Sequence, residues 1–173
     1  MKILDATCGI KGIWFQKNHP FVTFMDKRYI NGKMQKTKNK ISNRRIIRIQ
    51  PDVVADWTKT LPFDDDHFDV VVFDPPHFIR NKKPDNFFYE KYDMLNPDTW
   101  KQDLKKGFKE LFRVLKPDGV FILKWNDCYR STKEVLKLCP YKPLFGTEIR
   151  KTSSNTHWMV FIKYSLDQKL EVA

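Results

Sequence analysis

The chain has 173 residues, a size that accommodates one domain and excludes a large multidomain enzyme. Lys and Arg outnumber Asp and Glu by 32 to 21, a net charge of +11, but 41% of the residues are hydrophobic, so we expect a packed core. No apolar run approaches the ~20 residues of a membrane span, no secretory signal begins the sequence, and the three cysteines are far apart, so we expect a cytoplasmic protein without membrane attachment, disulfides or bound metal.

Short segments rich in Val, Ile and Phe predict the β-strands. In chain order they read KILDA, FVTFMD, RIIRIQPDVVAD, DVVVFDPP, GVFILKW and HWMVFIKY. Apolar residues recur at helical spacing from Pro97 to Leu115, with Asn96 or Asp98 as the predicted cap. A capping box at Ser131 predicts a second helix that ends near Cys139, and a short third helix is expected from Gly12 to about Asn18.

Strands that alternate with helices predict parallel β-α-β units. The expected fold is therefore α/β, with an open, mostly parallel seven-stranded sheet and helices on both faces. Two last strands, at 144–149 and 158–164, are joined by a short loop, so they should form an antiparallel C-terminal hairpin at one edge. No repeat or interdomain linker interrupts residues 1–173, which indicates a single domain.

Positive charge is concentrated between Lys27 and Gln50, where nine basic residues occur without any Asp or Glu. This basic run has few apolar residues and no helical periodicity, so it is predicted to be an inserted loop. Such a run attracts nucleic-acid phosphates without recognising sequence. The alternative is a solvated loop that has no partner.

In a sheet of this kind, ligands bind at the carboxyl ends of the strands. The first predicted strand ends in a turn from Asp5 to Gly12, whose glycines allow the backbone to approach a ligand. Asp26 ends the second strand about 20 residues further on, where an acid can accept both hydroxyls of a ribose. The alternative is an ordinary tight turn followed by an exposed aspartate.

The strand DVVVF is followed directly by Asp74-Pro75-Pro76-His77. The prolines fix the backbone, so the Asp74 carboxylate and the Pro75 carbonyl make a rigid pair of hydrogen-bond acceptors. Two acceptors suit an exocyclic amino group, whose lone pair would otherwise be delocalised into a base, and His77 can stack on that base. A proline-rich turn without function is the alternative.

These motifs, together with Asp56-Trp57 before Leu61-Pro62-Phe63 and with Leu115-Lys116-Pro117-Asp118-Gly119, resemble class I S-adenosylmethionine-dependent methyltransferases. The closest likeness is to the amino-methyltransferases of nucleic-acid bases that carry Asp or Asn, two prolines and an aromatic residue. The resemblance implies a Rossmann-like fold and S-adenosylmethionine as cofactor. The implied cofactor residues at the methionine part are Asp5, Ala6, Thr7, Cys8, Gly9 and Gly12. Asp26 is implied at the ribose, and Asp56 and Trp57 at the adenine, where Asp52 is a second candidate. Asp74 is also among the implied cofactor residues.

The implied catalytic residues are Asp74, Pro75, Pro76 and His77. A second insertion, residues 78–97, mixes basic residues with Phe87, Phe88, Tyr89 and Tyr92, a combination that binds unstacked bases; a lid over the protein's own core is equally compatible. The candidate substrate-binding residues are Lys124, Asn126, Ser154, Asn155, Thr156 and His157.

The sequence thus predicts an S-adenosylmethionine-dependent N-methyltransferase that acts on an exocyclic amino group of a base, of the N6-adenine or N4-cytosine type, in DNA or RNA. No target-recognition domain is expected, and the basic run would contact the nucleic acid. The alternatives are a protein glutamine or small-molecule methyltransferase on the same fold, and a non-catalytic cofactor- or RNA-binding module. The target base and the oligomeric state, including a homodimer, stay open.

Overall fold

The computed structural model of the protein describes residues 1–34, 46–80, 91–147 and 156–164. Within them, nine strands and two helices are formed. They are β1 (Ile3–Asp5), β2 (Val22–Asp26), β3 (Ile30–Met34), β4 (Ile46–Ile49), β5 (Val53–Val54), β6 (Phe68–Phe73), α1 (Trp100–Val114), β7 (Leu115–Asn126), α2 (Thr132–Leu136), β8 (Phe145–Gly146) and β9 (Thr156–Ile162).

Seven strands form one sheet in the order β5-β2-β1-β6-β7-β9-β8. The first five in this order are parallel, whereas β9 runs antiparallel to β7, and β8 runs antiparallel to β9. The predicted Rossmann-like sheet with an antiparallel C-terminal hairpin at its edge is confirmed. The order reverses between β1 and β6, so the carboxyl ends of these two strands border a switch-point crevice, where such folds bind ligands.

The core lies between the sheet and α1, and aromatic side chains dominate it. Phe73 of β6 and Phe121 of β7 are fully buried and contact Phe108 of the helix, with ring centroids 5.8 and 6.1 Å away. Trp100, Leu104 and Leu111 are also buried, so the apolar stripe of the sequence is the face that packs on the sheet. The helix prediction is confirmed.

The predicted cap of α1 is wrong in detail. The N-cap residue is Thr99, whose side chain makes no capping hydrogen bond, and the Asn96 Oδ1 accepts instead from the backbone N–H of Asp98 in the turn before the helix. At α2 the capping box is confirmed, because Ser131 Oγ accepts from Glu134 N and Glu134 Oε2 accepts from Ser131 N.

The short helix predicted from Gly12 to Asn18 is wrong, because this stretch forms turns. Lys11 N donates to Cys8 O at 2.6 Å, and Lys11 itself has a positive φ of 56°. The Trp14 indole then donates to Asp5, which holds the chain against the end of β1. Seven residues are too few to stabilise a helix alone, so this side-chain contact decides the local conformation.

One part of the predicted basic loop, β3, is a strand, which corrects that prediction, whereas β4 lies within the strand predicted from Arg45 to Asp56. β3 and β4 pair antiparallel, and Ile47 and Ile49 are buried, so this hairpin has an apolar face. The single strand predicted from Arg45 to Asp56 divides at Pro51, which has no N–H to donate to a ladder: β4 joins the hairpin, while β5 pairs with β2 in the main sheet. Residues 35–45 lie outside the described part of the chain.

No helix within the described ranges combines the length and the apolar character that a bilayer span requires.

Gly107 of α1 faces the Trp57 ring at close range, and we predict that Gly107→Ala destabilises the protein. A Cβ atom there would lie 2.5 Å from Trp57 Cε3, and Trp57 cannot recede easily because it packs against Phe73 at 5.2 Å. Alanine gains about 1 kcal/mol in helix propensity, but overpacking costs about 1–3 kcal/mol. Urea unfolding should therefore show a free energy lower by roughly 1 kcal/mol.

The exposed Lys105→Ala on the same helix is the matched control, and its effect should stay within about 0.5 kcal/mol. A Gly107→Ala protein more stable than the unsubstituted one would show that Trp57 moves freely.

Candidate active site

A cavity of about 390 Å³ opens at the carboxyl ends of β1, β6 and β7. The turn after β1 and the segment after β6 form two of its walls. The lining residues are Asp5, Thr7, Cys8, Gly9, Ile10, Gly12, Ile13, Lys17, Arg28, Asp74, Pro75, Pro76, His77, Lys91, Tyr92 and Lys124. The structure therefore brings the Asp74-Pro75-Pro76-His77 segment and most of the glycine turn into one cavity. Ala6, which was predicted with the turn, is fully buried behind it.

Asp5 fixes the turn that follows β1. Its carboxylate is buried and accepts hydrogen bonds from Trp14 Nε1 at 2.6 Å and from Thr7 N at 3.1 Å. Burial raises the pKa of Asp5 to about 7, although both hydrogen bonds oppose the shift. The side chain therefore serves first as an anchor that holds the turn and Trp14 in place.

The glycine turn reaches across to β2. Gly9 has a φ of +49°, which a glycine adopts without strain, and its N–H donates to Asp26 Oδ2 at 3.0 Å. The neighbouring Cys8 is buried, and burial raises the pKa of its thiol, so it stays protonated and is no nucleophile.

Asp26, the predicted ribose acceptor, is already engaged by Arg28. Arg28 Nε donates to Oδ1 at 2.9 Å and its Nη2 donates to Oδ2 at 3.0 Å, while the backbone N–H groups of Gly9 and Arg28 add one bond each. Arg28 also lines the cavity. A ribose can reach both oxygens of this buried carboxylate only after the Arg28 side chain has moved.

Asp74 has one oxygen engaged and one available. Lys124 Nζ lies 2.6 Å from Oδ2, and the backbone N–H of Asp74 donates to Thr7 Oγ1 at 2.9 Å, which ties the segment after β6 to the turn after β1. No group in the described ranges donates to Asp74 Oδ1. Burial raises the pKa of Asp74, and the Lys124 ammonium opposes that shift.

His77 is uncharged near neutral pH. Burial, followed by the nearby Lys124 ammonium, lowers its pKa from 6.5 to about 4. Its ring lies 4.5 Å from that of Phe78, centroid to centroid. A neutral imidazole in the wall of the cavity can stack on a flat ligand or accept a proton, but it brings no charge.

We expect the histidine signal of His77 in NMR to titrate with a midpoint near pH 4. Because its folded pKa lies below the unfolded value of 6.5, the unfolded chain binds more protons between pH 4 and 6.5. The contribution of His77 to the free energy of unfolding should therefore rise with pH over that range and stay constant above it. His77→Gln should lose this pH dependence in urea unfolding, and a midpoint near 6.5 would contradict the burial of the ring.

The acids predicted at the adenine lie outside the cavity. Asp56 Oδ1 accepts from Thr58 N and Oγ1, both at 2.9 Å, and Asp52 Oδ2 accepts from Phe24 N at 2.8 Å. Trp57 is buried against Phe73 and borders a smaller cavity of about 30 Å³ beside Asp26 and Asp74. In this conformation Asp52 and Asp56 stabilise loops through these hydrogen bonds, and Trp57 is part of the core.

Of the predicted substrate residues that the structure describes, only Lys124 lines the cavity. Asn126 Nδ2 donates to Thr156 Oγ1 at 2.8 Å, which links β7 to β9. His157 is buried, with its Nε2 3.2 Å from Asp127 Oδ2. Asp127 Oδ1 in turn accepts from Thr132 N at 2.8 Å, so Asp127 connects His157 to the start of α2. Ser154 and Asn155, like Phe87, Phe88 and Tyr89, fall outside the described residues.

Sequence reasoning predicted Lys124 at the site but missed the rest of the basic wall of the cavity. Lys17, Arg28, Lys91 and Lys124 line it together with the acids Asp5 and Asp74. Arg28 follows Asp26 by two residues, the spacing at which its side chain can fold back on the carboxylate. In the sequence it was counted only as one of nine basic residues. The two-residue separation of Arg28 from Asp26 was the available sequence signal that Arg28 belongs to the site.

Sequence comparison finds no matching family model and no matching curated protein. Comparison of the fold finds a Pyrococcus horikoshii protein with a TM-score of 0.58, at 19% identity over 94% of this chain and 81% of that one. A TehB-like SAM-dependent methyltransferase from Corynebacterium glutamicum gives a TM-score of 0.54, at 15% identity over 94% and 79% of the two chains.

A third similar structure is the 1,6-didemethyltoxoflavin-N1-methyltransferase of Burkholderia thailandensis, with bound S-adenosylhomocysteine; its TM-score is 0.50, at 12% identity over 95% of this chain and 71% of that one. The TM-scores demonstrate a shared fold, and identities this low limit the conclusion to the fold. The chain thus has the fold of the class I SAM-dependent methyltransferases.

Proposed function

We propose that the protein binds S-adenosylmethionine in this cavity and transfers the methyl group to an exocyclic amino nitrogen of a nucleic-acid base. The observation that carries the proposal is the position of Asp74-Pro75-Pro76-His77. It faces the same cavity as the glycine turn, and Asp74 Oδ1 accepts no hydrogen bond from the described residues. A free carboxylate oxygen beside a fixed proline segment suits an amino group.

The cavity suits the proposed cofactor in size and in chemistry. Its volume of about 390 Å³ lies within the usual range for small-molecule sites. The turn from Asp5 to Gly12 presents backbone close to the ligand space, and Asp26 lies beside it with two carboxylate oxygens. The one obstacle is Arg28, which occupies both oxygens and has to be displaced by the ribose.

When bound, S-adenosylmethionine supplies an electrophilic methyl group on a sulfonium centre. Asp74 Oδ1 would accept one N–H of the acceptor, and the Pro75 carbonyl would accept the other, which localises the nitrogen lone pair toward the methyl group. The Lys124 ammonium opposes the rise in the pKa of Asp74 that burial causes. The raised pKa of Asp74 also suits it to take the proton that the nitrogen loses as the N–C bond forms.

The charge and the aromatic residues of the cavity support a nucleic acid as the acceptor. Lys17 and Lys91 line the cavity together with Tyr92, which is 39% exposed and carries the Lys91 ammonium over one face of its ring, 4.5 Å from the centroid. Cations that meet phosphates and an exposed ring that meets a base are the usual elements of single-strand binding. Asp74 and His77 would then receive an extruded base.

The basic run supports the same proposal less strongly than its sequence indicates. Lys27 Nζ lies 2.7 Å from Asp93 Oδ2, and Arg28 is paired with Asp26, so two of the nine charges are neutralised within the protein. Arg48 is exposed on β4 and remains available for phosphates.

A small molecule is the second candidate acceptor. The B. thailandensis protein of similar fold is named as an N-methyltransferase of a small heterocycle. The enclosed cavity at Asp74 would accommodate an acceptor of that size as well as an extruded base.

The test separates binding from transfer. Calorimetry with S-adenosylmethionine establishes whether the cavity binds the cofactor, and transfer of a labelled methyl group to DNA, RNA, protein and metabolite pools identifies the acceptor. We expect binding, and label in a nuclease-sensitive fraction that is lost with Asp74→Ala. Label found only in protein or in small molecules would show that the acceptor is not a nucleic acid. Cofactor binding without transfer to any pool would indicate a non-catalytic module.

A further inference from the structure

A second concavity, distinct from the active-site cavity, lies on the outer side of α1. Its volume is about 750 Å³, and we call it the lysine groove. It is lined by Gln102, Lys105, Lys106, Lys109 and Phe112 of α1 and by Lys137, Leu138, Cys139, Pro140 and Tyr141 after α2. No lining residue is shared with the cavity at Asp74, so the groove has no part in the proposed transfer site.

The four ammonium groups of the lysine groove are uncompensated. Within the described ranges none of them has an ion-pair or hydrogen-bond partner. The acids of the same helix are engaged elsewhere: Asp103 accepts from Thr99 Oγ1 at 2.6 Å, and Glu110 pairs with Arg113 at 2.5 Å. Lys105 and Lys109 are four residues apart, a spacing at which like charges repel. The groove therefore attracts negative charge.

The floor between the lysines is apolar. Phe112 and Tyr141 pack with ring centroids 4.3 Å apart, and Tyr164 meets the Tyr141 ring edge-on at 5.2 Å. Leu138 and Pro140 complete the floor. Because the two aromatic rings are engaged with each other, the floor is better suited to aliphatic side chains than to stacked bases.

These properties distinguish the possible occupants. A second copy of the chain carries a net charge of +11 and would be repelled at this surface. A nucleic acid would satisfy the lysines but leave the apolar floor uncovered. Of these three occupants, an acidic protein segment that also carries aliphatic side chains is the one that satisfies both.

We propose that the lysine groove binds an acidic amphipathic segment of a partner protein. Its aliphatic side chains cover Leu138, Pro140 and Tyr141, and its Asp and Glu side chains lie along the lysines at 105, 106, 109 and 137. This is the helix-in-groove mode of recognition, with charge fixing the orientation.

The probe is a fluorescein-labelled synthetic peptide of about 16 residues, with leucines at i and i+4 positions and glutamates on both flanks. Fluorescence anisotropy with the full-length protein should show saturable binding. Lys109→Glu should weaken it by about fivefold or more, whereas Lys59→Glu, an exposed lysine outside the groove with the same change in charge, should alter it by less than about twofold.

A peptide that keeps its glutamates but has asparagine in place of leucine tests the floor, and it should bind at least about tenfold more weakly. Circular dichroism checks that both variants stay folded. Equal binding of the two peptides would reduce the groove to a non-specific basic surface and overturn the proposal. A labelled single-stranded oligonucleotide is the second comparison. If Lys109→Glu weakened the binding of the oligonucleotide but not that of the leucine peptide, the groove would be assigned to nucleic acid and the proposal would be overturned.

Discussion

Asp74→Ala is expected to lower the rate of methyl transfer at least about 100-fold and to leave cofactor affinity nearly unchanged. The carboxylate is the proposed acceptor for the amino group, and it contributes through Oδ1, the oxygen that Lys124 leaves available. Alanine removes both the hydrogen bond that orients the nitrogen and the group that takes its proton. Single-turnover transfer measures the rate, and calorimetry with S-adenosylhomocysteine measures the affinity.

Asp74→Asn keeps an acceptor oxygen but loses the negative charge, so it separates orientation from charge. Lys124→Met removes the ammonium that opposes the raised pKa of Asp74, and we expect it to move the acidic limb of the pH–rate profile to higher pH. The exposed Asp98→Asn, outside the cavity, serves as the control. Unchanged turnover with Asp74→Ala would exclude the mechanism.

Arg28→Ala is expected to tighten cofactor binding by roughly tenfold and to destabilise the ligand-free protein. Its guanidinium donates two hydrogen bonds to Asp26, and bonds to charged groups contribute about 1.5–3 kcal/mol. A ribose has to break these two bonds in the unsubstituted protein but not in the variant. Because Asp26 is buried, loss of its partner should lower the free energy of unfolding by about 3 kcal/mol.

Calorimetry measures the affinity, and thermal unfolding with and without S-adenosylhomocysteine measures the stability; the rise in Tm on binding should be larger in the variant. Asp26→Asn is the companion substitution and should weaken cofactor binding. If Arg28→Ala weakened binding instead, the guanidinium would be a cofactor contact rather than a competitor for the carboxylate.

Most of the sheet could be predicted because its strands are buried and the motifs lie where those strands end. The run from Asp69 to Phe73 has to be a buried strand, and Asp74 has to follow it at the carboxyl edge. The apolar stripe of α1 was likewise sufficient to predict the face that packs on Phe73 and Phe121. In these elements the local pattern and the tertiary packing require the same conformation.

The predictions that were wrong depend on single contacts between distant residues. Trp14 binds Asp5 and replaces the expected helix with turns, and pairing with β4 converts residues 30–34 of an expected loop into a strand. A periodicity argument weighs the average of a segment, so one side chain that finds a buried partner is invisible to it.

The sequence by itself determined the order of the strands along the chain, the edge at which the site lies and the two segments that directly follow β1 and β6 there, because these follow from which segments must be buried on both faces. Only the tertiary structure decided which side chains are available. It paired Lys124 with one oxygen of Asp74 and Arg28 with both oxygens of Asp26. It also placed Asn126 and Thr156 in a link between β7 and β9, and His157 beside Asp127, which binds the start of α2. The physical reason is that a polar side chain near a buried site must satisfy its hydrogen bonds with whatever group the fold brings within reach, and only three-dimensional proximity determines that group.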